Sequence, residues 1–281
     1  MELPDGIYFH GCAWGMSFYI GVYKILIETY GEHFGSNMLC YGDSMGALMA
    51  LFVRLNFKWN DIETIYLETC KKLESESFYK LRSSDVHNNV IELAFEYAEK
   101  MYNLDREEII KQHLIGKYFI GVTEYYAKHS WYNYTDYNSL KEALHGSFHI
   151  PIYCRKLINY NKSRILDGSY SFNPVTDLPN QGKNILKISV GDNIEWCDIC
   201  PETPFSMMRC AVPDTLSEYL EARRMGIDST ISWTHLYYIK EKNKEPCFKC
   251  VNKEKNTTQL MLLWPFRIAE DYLPAYKYMS I

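Results

Sequence analysis

The feature that most limits what this chain can fold into is the pentapeptide Gly42-Asp43-Ser44-Met45-Gly46, set between a short β-type run and a helix-forming run. A Gly-x-Ser-x-Gly pattern arises by chance in only a few of every hundred chains of this length, taking Gly and Ser at about 7% each. Its flanks carry more weight. Met38-Leu39-Cys40-Tyr41 reads as a strand and Ala47-Leu48-Met49-Ala50-Leu51-Phe52-Val53 as a helix, so Ser44 falls on a strand-to-helix turn. Gly42 and Gly46 keep side chains out of that turn. The hydroxyl then points toward a helix N-terminus, where unpaired N–H groups and the helix dipole favour a developing anion. The plainer alternative is a glycine-flanked helix start with Ser44 near its cap.

The chain before Ser44 narrows the architecture. Ile7-Tyr8-Phe9-His10 reads as a strand and Gly11-Cys12-Ala13-Trp14-Gly15 as a small-residue loop; a helix follows, with Ile20, Tyr23, Ile27 and Tyr30 near helical spacing and Gly31 as its stop. Strand, loop and helix, given twice, predict an α/β fold with a mainly parallel sheet covered by helices. An ordinary α/β-hydrolase serine follows several strands, and too little chain precedes residue 44 for that order. The first loop instead lies beside the serine at the carboxyl end of the neighbouring strand. There the amides of Gly11, Cys12 and Ala13 can cradle an oxyanion. The loop lacks the Lys-Ser/Thr ending of a phosphate-binding P-loop and the full Gly-x-Gly-x-x-Gly of a dinucleotide site.

Further along, apolar spacing predicts helices over about 61–72 and 85–102, and a Tyr-rich hairpin from Tyr118–Thr123 and Trp131–Tyr134. Asn138 or Ser139 caps a short helix through His145. Arg164-Ile165-Leu166 forms a strand running into Asp167-Gly168-Ser169, residues 185–190 form a buried strand, and a helix spans Leu216–Met225. With no repeat and no low-complexity linker, the 281 residues read as one domain, 226–281 being an extension of uncertain role.

The eight histidines offer Ser44 no obvious partner; His10, His149 and His235 read as structural. Asp167 differs, because it ends a strand and the following Gly168 lets its carboxylate stand at the sheet edge. In a partly desolvated pocket such a group can act as base, burial raising its pKa toward working pH. The competing reading is an ordinary Asp-Gly turn.

Charge and cysteine usage bound the partners. A formal net charge of −5 gives no field that draws the chain to nucleic acid. Nine scattered cysteines and a start without basic and apolar leader regions point to a reducing, cytoplasmic setting. No apolar stretch approaches the roughly 18 residues of a membrane span, so contact with membranes or lipid droplets would be peripheral. The 24 tyrosines suit either a core and rim or an interface with lipid headgroups. Cys197-x-x-Cys200 and Cys247-x-x-Cys250 have zinc-type spacing within each pair, but the gap between pairs exceeds the usual one, so unpaired thiols and no metal are expected.

Several of these pieces, taken in order, resemble the patatin-like phospholipases, and within them the adipose triglyceride lipase branch. Phe9-His10-Gly11-Cys12-Ala13-Trp14-Gly15-Met16 is similar to that branch's glycine-rich oxyanion segment, and Gly42-Asp43-Ser44-Met45-Gly46 to its nucleophile elbow. Ile150-Pro151-Ile152-Tyr153-Cys154 and Arg164-Ile165-Leu166-Asp167-Gly168 resemble the approach to its Asp-Gly motif, and Asp198-Ile199-Cys200-Pro201 also has a counterpart there. The resemblance covers about residues 6–225. It implies a three-layer α/β/α fold, a Ser44–Asp167 dyad without histidine or cofactor, and fatty-acyl esters as substrates. Ala13 and Ser169 stand where that family usually has glycine. A catalytically weak or silent lipid-binding protein is therefore the second expectation.

Overall fold

The computed structural model describes residues 3–74, 84–124, 128–150, 158–160, 163–173, 176–178, 184–191 and 196–243. All lie within one compact unit, Met1–Glu245. The lysine-rich segment beyond residue 243, with Cys247 and Cys250, lies outside the described residues.

The first fifty residues form what their pattern predicts. Strand β1 (Gly6–Phe9) leads through Gly11 and Cys12 into a 3-10 turn, Ala13–Gly15, and helix α1 (Met16–Tyr30), which stops at Gly31 with φ 95°. Strand β2 (Leu39–Asp43) then enters helix α2 (Met45–Arg54) through Ser44. Helices α3 (Trp59–Glu74) and α4 (Ser84–Tyr102) follow, then the short α5 (Arg106–Ile109), which continues as a π-type turn over Ile110–Leu114. Strands β3 (Tyr118–Glu124) and β4 (Lys128–Tyr132) form the expected antiparallel hairpin, shifted so that Tyr134 lies past its end. Helix α6 (Tyr137–Ser147) is capped by Asp136 rather than by Asn138 or Ser139. Ser139 instead closes a reciprocal box with Asp136, so the hydroxyl read as a cap is the cap's partner at the third residue of the helix, in its first turn. Strands β5 (Ile158–Tyr160), β6 (Ser163–Asp167) and β7 (Ile185–Ile188), the short α7 (Met207–Cys210) and α8 (Leu216–Asn243) complete the order.

The sheet runs β5-β6-β3-β2-β1-β7, with β4 also paired to β3. β7, β1, β2 and β3 are mutually parallel, and β6 runs antiparallel to β3. The protein is thus α/β, with a mixed, mostly parallel sheet flanked by helices. One core joins Ile7, Phe9 and Cys40 to the helices; alternation sends Tyr8 and Tyr41 to the opposite face, where they pack with Leu178 and Ile185. Tyr8, Tyr19, Tyr23, Tyr118 and Tyr219 are fully buried, so much of the tyrosine excess serves the core. Among the described residues no helix is long and apolar enough to cross a membrane.

Helix α8 runs 28 residues, far past the Met225 expected from sequence. Gly226, just past that point, is a packing contact. A Cβ there would overlap the Phe18 carbonyl oxygen of α1, and a Cβ on Gly21 would overlap the Arg223 carbonyl oxygen of α8. The two helices cross backbone to backbone through these glycines. Gly226→Ala gains about 1 kcal/mol of helix propensity but forces the helices apart, and overpacking of this kind costs about 1–3 kcal/mol. A net loss of stability in urea denaturation is expected; equal or greater stability would show that the crossing has room to spare.

Candidate active site

Ser44 sits at the tip of a strained turn, with φ 54° and ψ −137°, and is 5% exposed. A non-glycine residue there costs roughly 1–3 kcal/mol, so the surroundings must hold it. They do so by close approach. A Cβ on Gly46 would overlap the Phe9 and His10 carbonyl oxygens of β1, and one on Gly42 would overlap the Gly46 carbonyl and the Ala47 backbone. The Ser44 N–H donates to Ser147 Oγ at 2.8 Å, and that hydroxyl donates to the Gly121 carbonyl at 2.7 Å. Ser147, at the end of α6, therefore ties the turn to β3, a role no sequence signal suggested.

Asp167 reaches the same place along the same edge of β3, where β6 takes over from β2. Register pairs Asp43 with Gly121 and Asp167 with Val122 on that edge, while β4 covers the other edge from Ile120 to Glu124, so serine and carboxylate meet end to end beside consecutive residues of one strand. Because β6 is antiparallel, its end runs down into the sheet to the level of the serine instead of stopping at the carboxyl edge. The Thr123 hydroxyl donates to the Asp167 carbonyl at 2.7 Å and the Ser169 N–H to its Oδ1 at 3.0 Å. Burial raises the Asp167 pKa to about 6; the Ser44 side chain, which faces the carboxylate closely enough to act as a donor, pulls it down, and the Asp43 charge pushes it up. Gly168 is required here, since a Cβ would overlap the Gly121 carbonyl oxygen.

The loop at Gly11, Cys12 and Ala13 lies against the serine. A Cβ on Gly11 would overlap Ser169 Oγ and come within 3.1 Å of Ser44 Cβ. The N–H groups of Gly11, Cys12 and Ala13 find no acceptor among the described residues, which leaves them available to an anion. Ala13 has φ 44°, a left-handed geometry that glycine adopts without strain. The loop is braced at both ends: the Tyr19 hydroxyl donates to the His10 carbonyl at 2.7 Å, and the Tyr66 hydroxyl is shared between the Trp14 carbonyl at 2.5 Å and Asp214 at 2.9 Å. Beside the loop and the elbow lies a small cavity of about 20 Å³, lined by groups such as Trp14, Met45, Leu48, Ile65, Val90 and Phe148. His87 also lines it; burial lowers its pKa to about 4, so it is neutral at pH 7.

No imidazole is hydrogen-bonded to Ser44 among the described residues. His10 is buried, kept neutral by desolvation, with Nδ1 2.8 Å from the Tyr8 hydroxyl; His149 is buried in apolar surroundings that lower its pKa to about 4. Cys197 and Cys200 form no disulfide and interact through their side chains, and no group of three or more metal-binding side chains occurs among the described residues. Sequence reasoning missed Tyr8, Asp43 and His129, which meet behind the elbow. No protein-family model matches the chain, and no curated protein matches it significantly.

Two outcomes follow for purified protein. A carboxyl that ionises near pH 6 in the fold but near 3.8 otherwise binds its proton more tightly when folded, so its ionised form costs stability. That cost is absent below about pH 4 and complete above about pH 6. Asp167→Asn is expected to raise unfolding free energy by about 1–3 kcal/mol at pH 8, the gain shrinking toward pH 4; a pH-independent change would place the carboxyl in water. Ala13→Gly is expected to stabilise by about 1 kcal/mol by relieving the left-handed alanine, read as a raised thermal midpoint; a lowered midpoint would show that the loop holds Ala13 without strain.

Proposed function

We propose that the protein is a serine acyl hydrolase of the patatin-like type, with a three-layer α/β/α fold, acting on fatty-acyl esters of lipids. The observation that carries this reading is the meeting of Ser44 and Asp167 where β2 and β6 abut along one edge of β3, with no imidazole between them among the described residues. A base with a pKa of about 6 is largely ionised at neutral pH yet basic enough to take a hydroxyl proton in the transition state. Asp167 removes the Ser44 proton as the oxygen attacks the ester carbonyl, and the amides of Gly11, Cys12 and Ala13 hold the resulting oxyanion. Collapse returns the proton to the leaving alcohol and leaves an acyl-enzyme. Asp167 then activates water, which releases the fatty acid and restores Ser44.

The apolar lining beside the elbow is a surface that an acyl chain would meet favourably once its side chains part to admit it, since desolvating methylenes contributes about 0.8 kcal/mol each. Such substrates reside in membranes or lipid droplets, which makes a peripheral lipid surface the partner in this reading.

A fluorophosphonate probe tests the nucleophile directly. Wild type should be labelled and should release fatty acid from a panel of phospholipids and acylglycerols, while Ser44→Ala should lose both, a rate loss of about 10⁴-fold or more. Absence of labelling in wild type would favour the silent lipid-binding protein. Fatty-acid release surviving in Ser44→Ala would remove the serine from its role.

A further inference from the structure

Directly before the nucleophile, Asp43 is fully buried and turned onto the aromatic face of the sheet. Its Oδ2 accepts a short hydrogen bond from the Tyr8 hydroxyl, which also lies 2.8 Å from His10 Nδ1. Its Oδ1 lies 3.0 Å from His129 Nε2, and His129 Nδ1 lies 4.0 Å from Asp177. The carboxylate occupies a slot that exists because two glycines border it. A Cβ on Gly121 would overlap Asp43 Oδ1 and crowd His129 Nε2, and one on Gly168 would stand 2.7 Å from the same oxygen. Asp43 thus lies under both the serine turn and the Asp167-Gly168 turn.

We propose that Asp43 is a positioning residue for the acyl-transfer dyad: gripped by Tyr8 and His129 between Gly121 and Gly168, it locks the Ser44 turn to the Asp167-Gly168 turn and holds a second negative charge beside the base. This rests on the Ser44–Asp167 reading above. The groups facing Asp43 are Tyr8 and, through it, His10 from β1, His129 from β4 with Asp177 behind it, and Asp167 from β6. Asp167 in turn faces Ser44, Ser169 and Asp43, with Tyr8 and Cys12 near enough to interact. None of these is a cation of fixed charge, so a carboxylate in the slot is felt by its neighbour. Two carboxylates so placed keep one proton affinity high, which strengthens that group as a base.

Asp43→Asn preserves shape and deletes the charge. The pH profile of Ser44 labelling by the fluorophosphonate should show an acid limb displaced downward and a plateau rate lowered about tenfold. A profile superimposable on wild type overturns the proposal. So does a lowered plateau with an unmoved acid limb, because a merely structural residue would give that result. Labelling that persists in Ser44→Ala would sink the dyad itself and is read separately. If Asp43→Asn fails to fold, Tyr8→Phe carries the test: it loosens the grip and keeps the charge, so labelling should slow about tenfold with the acid limb in place, and a wild-type rate would overturn the proposal.

Discussion

The geometry of the candidate site depends on a missing side chain at the centre of the sheet. Gly121 stands between β2 and β4, opposite Asp43, with Asp167 of β6 beside its neighbour Val122 on the β2 edge. A methyl group at this one position would collide with Asp43 and His129. Its carbonyl accepts from Ser147, which holds the Ser44 turn, and its backbone is what Gly168 packs against. The Ser44 turn, the Asp167 turn and the buried Asp43 carboxylate are therefore all referenced to a few atoms of β3.

Around this point the fold holds several unfavourable arrangements together. Ser44 and Ala13 both have positive φ, and Asp43 and Asp167 are both buried. Each would relax in a looser protein. What opposes relaxation is the core on the helical face, where α1 and α2 are buried along most of their length, and the aromatic layer on the other, where Tyr8 stacks on Phe172 with ring centroids 4.3 Å apart. Strain and desolvated charge concentrated at one point, inside an otherwise well-packed molecule, is the distribution expected where chemistry is carried out.

Local features of this arrangement were readable before any coordinates. The glycines around Ser44, the strand before it and the helix after it obey short-range steric rules, so one stretch of chain specifies the turn. Asp167-Gly168 was readable for the same reason. Strand direction was not, because β6 presents the same residues whether it runs with or against β3, and only pairing decides. Tyr8 and His129 were invisible as partners of Asp43, since they sit 35 residues before it and 86 after it and signal nothing beyond ordinary strand composition. The full length of α8 was not readable either, because a glycine that ends a helix and a glycine that lets two helices touch look identical in one dimension.

The brace on the first loop has a temporal consequence. Trp14 emerges from the ribosome early, but its carbonyl is held by Tyr66, whose hydroxyl also engages Asp214 about two hundred residues later. A nascent chain grown only through β6 would carry the serine, the carboxylate and the glycine cradle while the loop still lacked its final restraint. Long-range closure of this kind is slow and comes late in assembly. The final restraint on the loop is thereby deferred until nearly the whole described unit has been synthesised.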